Sequence, residues 1–60
     1  MVKLLDHWIR HNDDHASTYR DWAEKAKTGK LTEVALLLEE AAEMTGRISE
    51  KFDQAASLIR

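Results

Sequence analysis

Residues 31–59 read LTEVALLLEEAAEMTGRISEKFDQAASLI, and within them Leu31, Val34, Leu38, Ala41, Thr45, Ile48, Phe52, Ala55 and Ile59 recur at intervals of three and four. That spacing keeps one side of an α-helix apolar for more than four heptads, a rhythm foreign to strands, whose side chains alternate every two residues. Thr45 is its one polar member. Towards the N-terminus, Leu5, Trp8, Asn12, His15, Tyr19, Trp22 and Ala26 keep the same rhythm, with Trp8, Tyr19 and Trp22 as expected core aromatics. Proline is absent and glycine occurs only at positions 29 and 46, so the helix-forming residues meet little interruption. The fold class is all-α.

Thr28-Gly29-Lys30 separates the two runs, and glycine is the residue expected to take the left-handed conformation that closes a helix. Thr32 is the expected N-cap of the second helix, with Glu33 in its first turn and Leu31 stapled to Leu36. Gly46 falls on the outer face while the heptad phase continues past it, which predicts one long second helix. The expected product is an antiparallel two-helix hairpin with its turn near residues 28–31, each helix about 40 Å long at 1.5 Å per residue. Facing residues then have numbers summing to about sixty, placing Tyr19 opposite Ala41, Leu5 opposite Ala55 and His15 opposite Thr45. Leu4 and His11 flank the first stripe and Leu37 and Met44 the second. Stripes that wide call for self-association, and two hairpins closing into a dimeric four-helix bundle is the simplest arrangement.

Sixty residues make a single domain, residues 1–60, too short to bury a comfortable core alone. The chain has no cysteine, which excludes disulfides and thiolate metal sites. Met1 to Leu5 is too short an apolar stretch for a signal peptide or a membrane span, and the expectation is a cytoplasmic protein. Nine Lys and Arg against eleven Asp and Glu give a net charge of −2 with the signs interspersed, which argues against nucleic acid as a partner.

The chemistry-bearing stretch is HWIRHNDDH, residues 7–15, with His7, His11 and His15 four apart. Histidines at i and i+4 share a helix face and can bind one ion through imidazole nitrogens. The candidate ligands are His11 and His15, with His7 or Asp14 assisting, and imidazole suits nickel, zinc, cobalt or copper. A two-fold axis close by would double the set. The competing reading makes Asn12, His15 and Thr45 a buried polar layer that only sets register and assembly, as a buried Asn does in coiled coils. No Glu lies three residues before any of these histidines, so a carboxylate-bridged di-iron centre is not expected. A two-helix chain offers no pocket for a nucleophile and its base, and the expectation is a non-enzyme.

HWIRHNDDH, followed by Tyr19-Arg20-Asp21-Trp22-Ala23-Glu24-Lys25-Ala26 and then by Glu33-Val34-Ala35-Leu36-Leu37-Leu38, resembles a small prokaryotic helical domain without an assigned activity. Its typical form reads HWxxHNxxH, YxxWAxKA, a glycine and EVAxLLxxAA, and the likeness covers nearly the whole chain. Such domains occur fused to CooT-type nickel-binding proteins or as separate small proteins. The resemblance implies an accessory role in handling nickel or a similar ion, alongside a protein partner in that task. Its histidines match His7, His11 and His15, and its asparagine matches Asn12.

Overall fold

The computed structural model describes all residues from Met1 to Arg60 and contains two helices, α1 (Val2–Thr28) and α2 (Thr32–Ile59), packed antiparallel in a rod of 45 × 13 × 9 Å. Gly46 does not interrupt α2: the helix runs straight past it, and a Cβ added there would meet nothing within 4 Å. The register is the expected one, since the Trp8 and Phe52 rings, whose numbers sum to sixty, lie 5.3 Å apart across the hairpin.

The turn corrects two expectations. Lys30, not Gly29, takes the left-handed conformation, with φ 64° against −82° at Gly29. The Leu31 N–H donates to the Ala26 carbonyl at 2.8 Å and the Lys30 N–H to the Lys27 carbonyl at 3.0 Å, which is the Schellman pattern with Lys30 in the place glycine usually fills. The chain leaves that turn already aimed along α2, so Leu31 is the N-cap and Thr32 is the first helical residue, without a side-chain cap bond. Leu31 and Leu36 are both more than half exposed, and the expected staple therefore buries little. Leu31 instead helps line a shallow apolar cleft with Trp22, Ala26, Val34 and Leu38.

The seam between the helices is rotated by one residue from the expected one on half of its positions. On α1 it runs through Val2, Leu5, Ile9, Asn12, Ala16, Tyr19, Ala23 and Ala26, all buried or half-buried. On α2 it runs through Ala35, Leu38, Ala42, Thr45, Ser49, Phe52 and Ala56. Leu5, Asn12, Tyr19 and Ala26, with Leu38, Thr45 and Phe52, belong to both versions. Trp8, His15 and Trp22 lie outside the seam and are exposed, as are Val34 and Ile48, while Ala41 and Ala55 sit half-buried at its edge. The reason is steric. Each helix carries two adjacent apolar lines, one of small and one of large residues, and the helices approach more closely through the small line. Ala35, Ala42 and Ala56 are fully buried by that approach, and no large side chain is.

The expected polar layer does not form inside the hairpin. Thr45 Oγ1 donates to the Ala41 carbonyl of its own helix at 2.8 Å, and His15 faces away from it. Buried Ser49 Oγ has no partner. On the charged side of the rod, Lys27 Nζ meets Glu39 Oε1 at 2.6 Å and Arg60 Nη2 meets Asp6 Oδ1 at 2.7 Å. The hydrogen bond and charge of Glu39, with a smaller share from Glu24, hold the Lys27 ammonium above the ordinary lysine range. That contribution is present throughout neutral pH and is lost only as pH rises through the raised value. No helix is long and apolar enough to cross a membrane.

Two substitutions test this packing by chemical denaturation. Ala42→Leu forces a larger side chain into the seam and is expected to destabilise the protein by about 1–3 kcal/mol. Lys30→Gly relieves the left-handed backbone strain and should stabilise it by about 1 kcal/mol; a loss of stability instead would show that the lysine itself is needed at the turn.

Candidate functional site

The histidines belong to a ladder of four aromatic rings down α1, spaced four residues apart. His7 lies nearly flat against His11 with centroids 6.1 Å apart, His11 meets His15 edge-on at 4.4 Å, and His15 lies nearly flat against Tyr19 at 6.0 Å. Their order follows from helical geometry, because residues at i and i+4 stand one above the other on the same face.

Within the ladder one pair converges. His11 Nε2 and His15 Nε2 are 3.0 Å apart and share a hydrogen bond, so one nitrogen carries the hydrogen and the other the lone pair. Two imidazole ligands on a tetrahedral ion with bonds of about 2.0–2.1 Å would stand about 3.3 Å apart. The pair is thus close to ligand spacing before any ion arrives. Binding would require one ring to shift tautomer so that both Nε2 atoms present lone pairs, with the protons on Nδ1.

The other two candidate ligands do not complete the set. His7 stacks on His11 without converging on the pair, and Asp14 is marked only by its backbone carbonyl, which accepts from Thr18 Oγ1 at 3.1 Å. No three His, Asp or Glu side chains of one chain are grouped closely enough to hold an ion.

The surroundings of the pair were harder to foresee. His11 and His15 stand on the same side of the hairpin as a continuous apolar face, made by Leu4, Trp8 and Trp22 from α1 and by Val34, Leu37, Met44 and Ile48 from α2. Trp8, Trp22, Val34 and Ile48 are the large residues displaced from the expected seam, joined by the flanking Leu4, Leu37 and Met44. Trp22 is 55% exposed and Leu37 65%, and the Lys25 ammonium lies 4.3 Å from the centre of the Trp22 ring. The sequence signal that separates face from seam is the heptad of small residues at Ala35, Ala42, Ser49 and Ala56, matched by Ala16 and Ala23. The opposite side carries a shallow charged cleft lined by Arg20, Asp21, Glu24, Glu39 and Glu43.

Fold and site together define an amphipathic α-helical hairpin that carries a histidine pair on its apolar face. Residues 1–59 match the model of the family described as a domain of unknown function, DUF8180, and the chain belongs to that family. No curated protein and no solved structure matches it.

Neither histidine helps to hold the two helices together. His11→Ala and His15→Ala are therefore expected to keep full helix content in chelator-treated buffer, with unfolding free energies within about 0.5 kcal/mol of the parent. Circular dichroism with denaturant titration checks this, and a collapse of helicity would make the pair structural.

Proposed function

We propose that this chain is a homodimeric helical interaction module whose two hairpins close into a four-helix bundle. The observation that carries the reading is the exposed surface. The hairpin exposes 4718 Å², whereas a compact monomer of 6.9 kDa is expected to expose about 4,000 Å². The excess of about 700 Å² is close to the roughly 800 Å² that each partner contributes to a standard stable interface. Much of the exposed apolar surface gathers on one side, where Met44 is 62% and Ile48 49% exposed beside both tryptophans. Apolar faces this extensive mark interaction sites, and a face shared by both helices is self-complementary in the manner a two-fold dimer requires.

A second reading is favoured by the histidine pair: the module is an accessory domain that captures a divalent transition ion such as nickel, zinc, cobalt or copper. Its support is the 3.0 Å separation of the two Nε2 atoms on one rigid helix. Two ligands alone make a weak and exchangeable site, which suits an ion held for transfer rather than for folding, with a metal-handling protein as the partner. Both readings describe a binding module rather than a catalyst. A cysteine-free chain has no need of an oxidising compartment, and the cytoplasm is its proposed location.

Sedimentation equilibrium tests the first reading. The parent should weigh two chains at micromolar concentration. Ile48→Asp, which places a charge on the face, should weaken association at least about tenfold, or about 1.4 kcal/mol. Arg20→Ala, on the charged side, should leave it unchanged, and a parent monomeric at every concentration would overturn the proposal.

A further inference from the structure

We infer that the second copy packs on the apolar face about a two-fold axis crossing the middle of the hairpin, and that the two His11–His15 pairs meet there to hold one divalent transition ion among four imidazoles. The inference rests on the dimer proposed above and says where its axis lies and what it builds.

The placement follows from the symmetry of the face. His15 is the central residue of α1, thirteen residues from Val2 and thirteen from Thr28. Trp8 and Trp22 stand seven residues to either side of it. An axis perpendicular to the helices at this level lays α1 antiparallel on the partner's α1, with Trp8 against the partner's Trp22 and His15 beside the partner's His15. The hairpin register places residue 45 of α2 at the same level, as the Trp8–Phe52 contact shows. About that level α2 is also complementary: Ile48 falls opposite the partner's Ala42, next to the partner's Ala41, and Val34 opposite the partner's Ala56, next to the partner's Ala55, large against small. One axis therefore satisfies both helices.

The alternative, an axis running along the rod, lays α1 on the partner's α2. His15 would then meet the apolar level of the partner's Met44 and the partner's Ile48, and each histidine pair, closed by its own hydrogen bond, would find no further ligand. The central axis avoids this, because each pair finds the other pair. Two nitrogens from each chain supply the four ligands that a tetrahedral ion takes, whereas one chain groups no three candidate ligands. The site is thus incomplete without the partner. An ion bound only by the dimer must also strengthen the dimer.

The test uses zinc chloride and the full chain. Calorimetric titration of chelator-treated protein should give one zinc ion per two chains, and zinc should tighten dimer dissociation at least about tenfold in sedimentation. His11→Ala and His15→Ala should each abolish both effects. The chain has no native cysteine, so single nitroxide labels at Lys3→Cys or Ser17→Cys report the axis without interference. About a central axis the two Lys3 labels are offset by about 36 Å along the rod and the two Ser17 labels by only about 6 Å, at 1.5 Å per residue. Equal separations at the two positions would overturn the axis. A dimer that binds no zinc below millimolar, or one ion per chain, would overturn the shared site while leaving the dimer standing. A chain that stays monomeric with and without zinc would overturn both the dimer and the inference built on it.

Discussion

The two helices meet through alanine and serine, and the remaining features of the hairpin follow from that contact. Ala16 and Ala23 on α1, with Ala35, Ala42, Ser49 and Ala56 on α2, allow the backbones to approach, and Leu5, Ile9, Tyr19, Leu38 and Phe52 pack in the spaces between these small residues. A close seam gives good packing but removes little apolar area from water for each residue it uses. Fully burying a leucine or isoleucine side chain is worth about 1.5–3 kcal/mol, and the hairpin fully buries none. Trp8, Trp22, Val34, Leu37, Met44 and Ile48 are left on one flank of each helix, and because the helices run antiparallel those flanks fall on the same side. The proposed self-association is thus tied to the seam: the choice of small residues for one contact leaves large residues free for another.

The charged side of the rod complements this division. Lys27–Glu39 near the turn and Arg60–Asp6 at the opposite end join the helices at both extremities, on the side away from the tryptophans. Exposed pairs of this kind add little to stability, because water and salt screen them. Their value here is positional, because ion pairs at both ends suit one longitudinal register and one face turned to water. The Schellman turn acts in the same direction. By satisfying the last carbonyls of α1 within six residues it allows α2 to begin at Thr32, so both helices keep nearly equal length and their midpoints coincide.

Helix existence, the turn near residues 28–31, the continuity of α2 past Gly46 and the longitudinal register were all legible from spacing alone. What spacing could not distinguish was which of two adjacent apolar lines on each helix forms the seam, since Leu5, Asn12, Tyr19 and Ala26 fit both. A rule favouring large residues in the core selects Trp8, His15 and Trp22, and the hairpin selects Ile9, Ala16 and Ala23. The information was present in residue size: a heptad of alanines has little reason to face water, and it marks a close helix approach. The left-handed residue was misread for a related reason. Glycine preference is a statement about intrinsic strain, while the position of the turn is decided by which carbonyls need partners, and Lys30 is the residue placed to serve them. For the site, the i, i+4 geometry correctly brought His11 and His15 together. It could not foresee that His7 would stack on His11 rather than converge with the pair.

The same correction changes what the histidines can do. In a buried layer, His15 would be part of the architecture, and an ion bound there would have to be present for folding. On an exposed face the pair is formed by the helix alone, with its nitrogens near ligand spacing and open to an arriving ion. Assembly then alters the pair from outside. In the proposed dimer a second copy would bring four such ring nitrogens together, each pair already closed by its one shared hydrogen bond. A bound ion would exchange those two hydrogen bonds for four lone-pair contacts once the Nε2 hydrogens move to Nδ1. Were the ion shared in this way, ion affinity and dimer affinity would be two expressions of one coupling free energy, and reciprocity would require each to raise the other by the same factor. The proposed coupling would place metal occupancy in control of assembly in a chain too small to bury a large core of its own.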